Sequence, residues 1–185
     1  MRYAIWPVVL VLGLALVLGK STTFAKDNSF QAKFKALAKD QSKLFKVTAR
    51  PGEEIPEATL NLFFGPSSAV SVSRGKPPKD ILDDGDINGV VNRNLRTVKF
   101  CYCETLKKDP AFEGQAIVEL QIQTNGTVQN VDIQPDEMAE HRFGKCLSQR
   151  VAKWEFPSFT GKKEDGMVVK SIGYEFPLEF TRAEK

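Results

Sequence analysis

Between residues 114 and 134 apolar and polar positions alternate, broken once by a turn, and on either side of this stretch the apolar spacing lengthens to three and four. "GQAIVELQIQ" sets Val118, Leu120 and Ile122 on one face and Glu119, Gln121 and Gln123 on the other, the period of a half-buried strand. Asn125-Gly126 supplies the positive-φ turn of a hairpin, and "TVQNVDIQ" is the return strand. Val128 falls out of phase with Val131 and Ile133, which predicts a β-bulge near Gln129 and Asn130. Before the hairpin, Ile87, Val90, Val91, Leu95, Val98, Tyr102 and Leu106 mark one face of a helix of about 20 residues, opened by acidic residues and closed at Asp109-Pro110. After it, a second helix over 136–153 turns Phe143, Cys146, Leu147, Val151 and Trp154 inward and stops at "EFP". A final strand over 167–180 lines up Ile172, Tyr174, Phe176, Leu178 and Phe180. Pro177 within it, having no amide to donate, points to an edge strand or to a strand's unpaired side. Residues 81–185 thus read helix, strand, strand, helix, strand: an α+β sandwich of a three-stranded antiparallel sheet backed by two helices.

The pattern before residue 81 is less regular. Phe30, Phe34, Leu37, Leu44 and Phe45 fall at helical spacing, so residues 26–49 read as one amphipathic helical arm with lysines on its wet side. Such a face either packs on a domain or, through residues 26–46, lies against an anionic membrane surface. Residues 50–80 carry Pro51, Pro56, Pro66, Pro77 and Pro78 between the β-like runs "ATLNLFF" and "AVSVS", and read as a linker with room for a short hairpin.

The first residues bear on the compartment. Arg2, an apolar run over 4–19 and the small-x-small pattern Thr23-Phe24-Ala25 predict a secretory signal peptide, residues 1–25, cleaved after Ala25. The run is shorter than the roughly 20 residues that cross a bilayer, which disfavours the alternative of a retained inner-membrane anchor. The expected location is periplasmic or secreted. Cleavage also changes the charge picture: the formal +3 falls to +1 as Arg2 and Lys20 leave, so overall basicity is no argument for nucleic acid. Residues 26–50 carry seven basic and two acidic side chains, which leaves 51–185 at −4. The mature chain is a basic arm on a mildly acidic body.

The order of elements and their punctuation resemble the TonB C-terminal domain superfamily, and residues 82–180 look like the C-terminal domain of the AgmX/PglI gliding-motility family. The family's opening helix is met by Leu82, Ile87, Val90, Val91, Arg93, Cys101, Tyr102 and Leu106. Its proline, glycine and turn glycine are met by Pro110, Gly114 and Gly126. Its second cysteine and Trp-x-Phe-Pro are met by Cys146, Trp154, Phe156 and Pro157, and its closing aromatics by Tyr174, Phe176 and Phe180. The likeness spans just over half the chain. It departs at Cys103, where the family usually has an acidic residue; here Glu104 follows one place later.

Three cysteines and one histidine are the candidate chemistry. On a helix, positions i and i+2 point roughly 200° apart, so Cys101 and Cys103 cannot readily bond each other or share a ligand sphere. Cys101 lies on the inward face with Val98 and Ile87, and Cys146 on the buried side of the second helix. In an exported protein two such cysteines most simply form a disulfide, and the resemblance adds to that expectation. Cys103 is then the odd sulfur, an exposed free thiol or a handle for another chain. A zinc site from three cysteines and His141 is disfavoured by the opposed directions of Cys101 and Cys103, and His141, on a charged helix, reads as solvated.

No metal or cofactor motif is present, and the acidic pairs Asp83-Asp84 and Asp136-Glu137 stand where helix starts favour acids. The chain is therefore expected to be no enzyme. The resemblance implies a cell-envelope module that binds a protein partner by a sheet edge or a helix face, in a TonB-type or gliding-motility machine. Two alternatives are an anchored TonB-like energy transducer and a thiol–disulfide protein using Cys103.

Overall fold

A computed structural model describes residues 28–61 and 78–183. The expected signal peptide, residues 1–25, and the "AVSVS" part of the expected linker lie outside the described residues. The architecture is α+β: a four-stranded mixed sheet packed against helices. Strands β1 (Phe45–Ala49), β2 (Gly114–Gln123), β3 (Val128–Gln134) and β4 (Ser171–Arg182) lie in the order β1-β4-β2-β3. Helices α3 (Asp84–Leu106), α4 (Asp136–Glu140) and α5 (Arg142–Val151) share the main core with Ala116, Val118, Leu120 and Ile122 of β2. Helix α1 (Asn28–Leu37) packs instead on Ile117, whose side chain leaves the opposite face of that strand. A four-residue helix, α2 (Ala58–Asn61), completes the set.

Much of the antiparallel hairpin follows its alternation. Ile122 pairs with Val128 and Gln121 with Asn130, so Gln129 is the extra residue of the bulge. Helix α3 begins at a reciprocal cap: the Asp83 carboxylate accepts from Asp86 N–H at 2.8 Å, and the Asp86 carboxylate from Asp83 N–H at 3.2 Å. Lys79 Nζ donates to both carboxylates. The expected apolar face of α3 is buried, with Leu95 partly so.

Several expectations need correction. The sheet has four strands, not three, and is mixed: β1 runs parallel to β4, from Phe45 opposite Leu178 to Ala49 opposite Arg182. The arm is therefore not one helix over 26–49. Asp40 accepts from Ser42 N–H and Oγ in a turn after Leu37, and then Phe45, Val47 and Ala49 alternate inward against Lys46 and Thr48. β4 is an interior strand. Pro177 is still accommodated, since β1 begins opposite Leu178 and offers Pro177 no partner for a missing amide.

The second helix divides at His141, whose backbone is extended. Its Nδ1 accepts from Phe143 N–H at 3.3 Å and so caps α5. Gly144 allows the fold-back, because a Cβ there would lie 2.0 Å from the Met138 carbonyl oxygen. Lastly, the first part of the expected linker is not free chain. Leu60 is fully buried, and Glu53, Glu54 and Glu57 pair with Lys99 (2.6 Å), Lys107 (3.3 Å) and Arg150 (2.5 Å), strapping residues 50–61 across α3 and α5.

Candidate functional site

Cys101 and Cys146 are joined, with 5.7 Å between their Cα atoms, and tie α3 to α5. Cys101 is fully buried; Cys146 is half-buried and lines a small cleft of about 230 Å³ with Glu104, Lys107, Lys108 and Arg142. A staple between two helices that both cover the sheet holds the helical layer together, and carries no reactive group of its own.

Cys103 stands differently from its expectation. It is a free thiol, but it is only 1 % exposed, because β1 and the strap after it cover the side of α3 that helical periodicity alone assigns to solvent. Burial, reinforced by the Glu53 carboxylate, pushes its pKa up, away from the thiolate form that attacks or ligates. In the folded chain Cys103 should therefore resist an alkylating reagent that labels it promptly in urea. Equal labelling in both states would show that β1 does not seal this side.

The remaining motif residues form two structural joints. At the first, Tyr102 O–H donates to the Phe112 carbonyl at 3.0 Å, and its ring packs against Phe112, Phe143 and Phe180. Desolvation of that buried hydroxyl raises its pKa far above the usual phenol value. Gly114 pairs with Phe180, where a Cβ would come within 3.2 Å of the ring. His141, expected in solvent, stacks on Phe112 at 4.5 Å, and burial lowers its pKa. At the second joint, Gly126 has φ +88° and its carbonyl accepts from Phe156 N–H at 2.9 Å. Trp154 is buried and stacked on Phe176, while Pro157 is exposed. The Trp-x-Phe-Pro segment thus clasps the tip of the β2–β3 hairpin.

What remains open to a partner is the rim of the sheet. Among the described residues β1 and β3 each have a strand neighbour on one side only; β1 is a five-residue strand, whereas β3 is seven residues long with Asn130 and Asp132 exposed along it. The start of this rim is closed by a single bridge between Thr127 and Glu155. An unpaired row of amides and carbonyls can add a strand from another chain, and the bulge limits how far such pairing extends. Among the described residues no group of three or more His, Cys, Asp or Glu comes together as metal ligands, and no helix is long and apolar enough to cross a membrane.

Two features escaped the sequence pattern. The β1 alternation "FKVTA" is a legible period-two signal that the overlapping helical spacing of Leu44 and Phe45 hides. The other is a carboxylate pair, Glu119 opposite Glu175 on neighbouring strands, which no local spacing could reveal. No family model matches the chain, and no curated protein or solved structure is detectably similar to it.

Proposed function

We propose that this chain is a non-catalytic module of the cell envelope that takes a segment of a partner protein along the rim of β3. The observation that carries this reading is the unpaired edge of β3 among the described residues, set on a body whose cysteines are either bonded or buried. A sheet edge supplies affinity through backbone hydrogen bonds and leaves specificity to alternate side chains, here flanking Val131 and Ile133. The TonB-like and AgmX/PglI-like order of elements, the apolar leader and the helix-to-helix disulfide support an exported protein of the periplasm serving a TonB-type or gliding-motility machine. Burial and the raised pKa of Cys103 weigh against a thiol–disulfide activity centred on it.

Position-specific photo-crosslinking tests the reading. A photoreactive residue at Asn130 or Asp132 should capture one envelope protein under non-reducing conditions, whereas the same residue at exposed Glu164, far along the chain in a turn, should not. Capture from Glu164 alone, or from all three sites equally, would move the interface away from the β3 rim.

A further inference from the structure

Helix α1 is held on the molecule in a different way from α3, α4 and α5. The buried apolar residues of those helices belong to the main core, whereas Phe30 and Phe34 join Ile117 in a small separate cluster on the other face of the sheet. Lifting α1 would uncover that isoleucine and leave the main core closed. Beneath the helix, Glu119 of β2 and Glu175 of β4 are direct cross-strand partners, an unfavourable placement of like charges. Lys33 of α1 sits between them, in contact with Glu119 Oε1 and 3.1 Å from Glu175 Oε2. Gln134 Nε2 donates to Glu119 Oε1 at 2.6 Å from the third strand. Farther along the arm, Lys43 Nζ lies 2.8 Å from Asp84 Oδ2. Part of the basic excess of the arm is thus matched by acidic residues of the body, through Lys33, Lys43 and Lys46.

These ties are weak by their exposure. The Lys33, Glu119 and Glu175 side chains are 36 %, 29 % and 39 % exposed, so water and salt screen them. The connection over 38–44 is a set of turns, and β1 after it is separately fixed to β4. The helix therefore has a hinge, and its release does not require the sheet to open. Its docking face, Phe30, Lys33, Phe34 and Leu37, presents aromatic and aliphatic groups around one ammonium group, and Lys35 is exposed on the opposite side of the helix. That is also the chemistry of a helix that lies in the interface of an anionic bilayer.

We propose that α1 is a latch with two seats, the acidic outer face of the sheet and an anionic lipid surface, exchanging between them about residues 38–44. Lipid phosphates replace Glu119 and Glu175 around Lys33, and the acyl boundary replaces Ile117 against the two phenylalanines. The inference is independent of which partner the β3 rim binds.

A carbodiimide joins an ammonium to a carboxylate only where they touch, so the amount of Lys33–Glu119 and Lys33–Glu175 cross-link in the full chain, read by mass spectrometry, reports the closed seat. Phosphatidylglycerol vesicles should lower that yield severalfold and phosphatidylcholine vesicles should leave it unchanged. The two kinds of vesicle differ in headgroup charge, so the difference between their yields reads the preference for an anionic surface. As a second measurement in solution, the E119Q/E175Q double variant should speed amide exchange in α1 roughly tenfold without changing exchange in α3, as expected for a locally opening unit. Equal cross-link yields on the two lipids would overturn the proposal. So would a yield lowered by polyglutamate but not by phosphatidylglycerol, which would make the second seat an acidic protein, or α1 exchange as slow in the double variant as in the wild type.

Discussion

Replacing both Cys101 and Cys146 by alanine should lower the unfolding free energy by about 4 kcal/mol, the chain-entropy value for a loop closed across 45 positions. For a domain of this size that corresponds to a fall in melting temperature of roughly 10 °C or more. The loop spans the last quarter of α3, the whole β2–β3 hairpin, α4 and half of α5, so without the bond those elements regain freedom together in the unfolded chain. Urea unfolding of the oxidised parent against the variant measures the difference directly. A loss below about 1 kcal/mol would mean that packing between α3 and α5 already confines the loop. Cys103→Ala should be the mild member of the series, since it deletes one buried sulfur and breaks no cross-link.

Gly126→Ala is the second large effect, and it separates two costs that usually arrive together. The residue has φ +88°, which alone disfavours any side chain, and a Cβ built there would lie 2.0 Å from the Phe156 carbonyl oxygen, a separation no rotamer relieves. The hairpin tip would have to part from the 154–157 segment, losing the Phe156 N–H bond to Gly126 and loosening the cover over Trp154. The expected loss is about 3 kcal/mol. Gly166 is the control: its φ is +82°, but nothing lies within 4 Å of an added Cβ, so Gly166→Ala should cost only about 1 kcal/mol. If the two alanines cost the same, the approach of Phe156 to the turn is not what Gly126 serves.

The elements whose periodicity is undisturbed were legible in the sequence. The α3 face, the β2–β3 alternation with its bulge and the turn glycine all rest on residues close in the chain or on one repeated spacing, while the pairing of Cys101 with Cys146 needed the expected compartment and the family resemblance as well. The misreadings share a cause, which is that a tertiary neighbour decided the outcome. Cys103 looks outward on an isolated helix and becomes buried because β1 and the strap at 50–61 arrive on that side. Leu44 and Phe45 fit a helical repeat, yet pairing with Leu178 turns Phe45 into a strand residue packed edge-on against Phe176. His141 sits among charged neighbours in sequence, and beside an aromatic ring in space. What β1 changes is the other rim: by pairing with β4 it turns that strand from an edge into an inner one, while β3 ends the sheet with or without it, and β1 lies nearly seventy residues upstream of β2.

The place of β4 bears on how such a molecule can be made. The last of the described strands in sequence is an inner one, flanked by β1 on one side and β2 on the other, so among the described residues no sheet larger than the β2–β3 hairpin can assemble before residues 171–182 have left the ribosome. A sheet whose inner strand follows all its partners in sequence closes through slow, long-range contacts. For the exported protein proposed above, that order keeps tertiary structure from forming ahead of passage through a translocation pore.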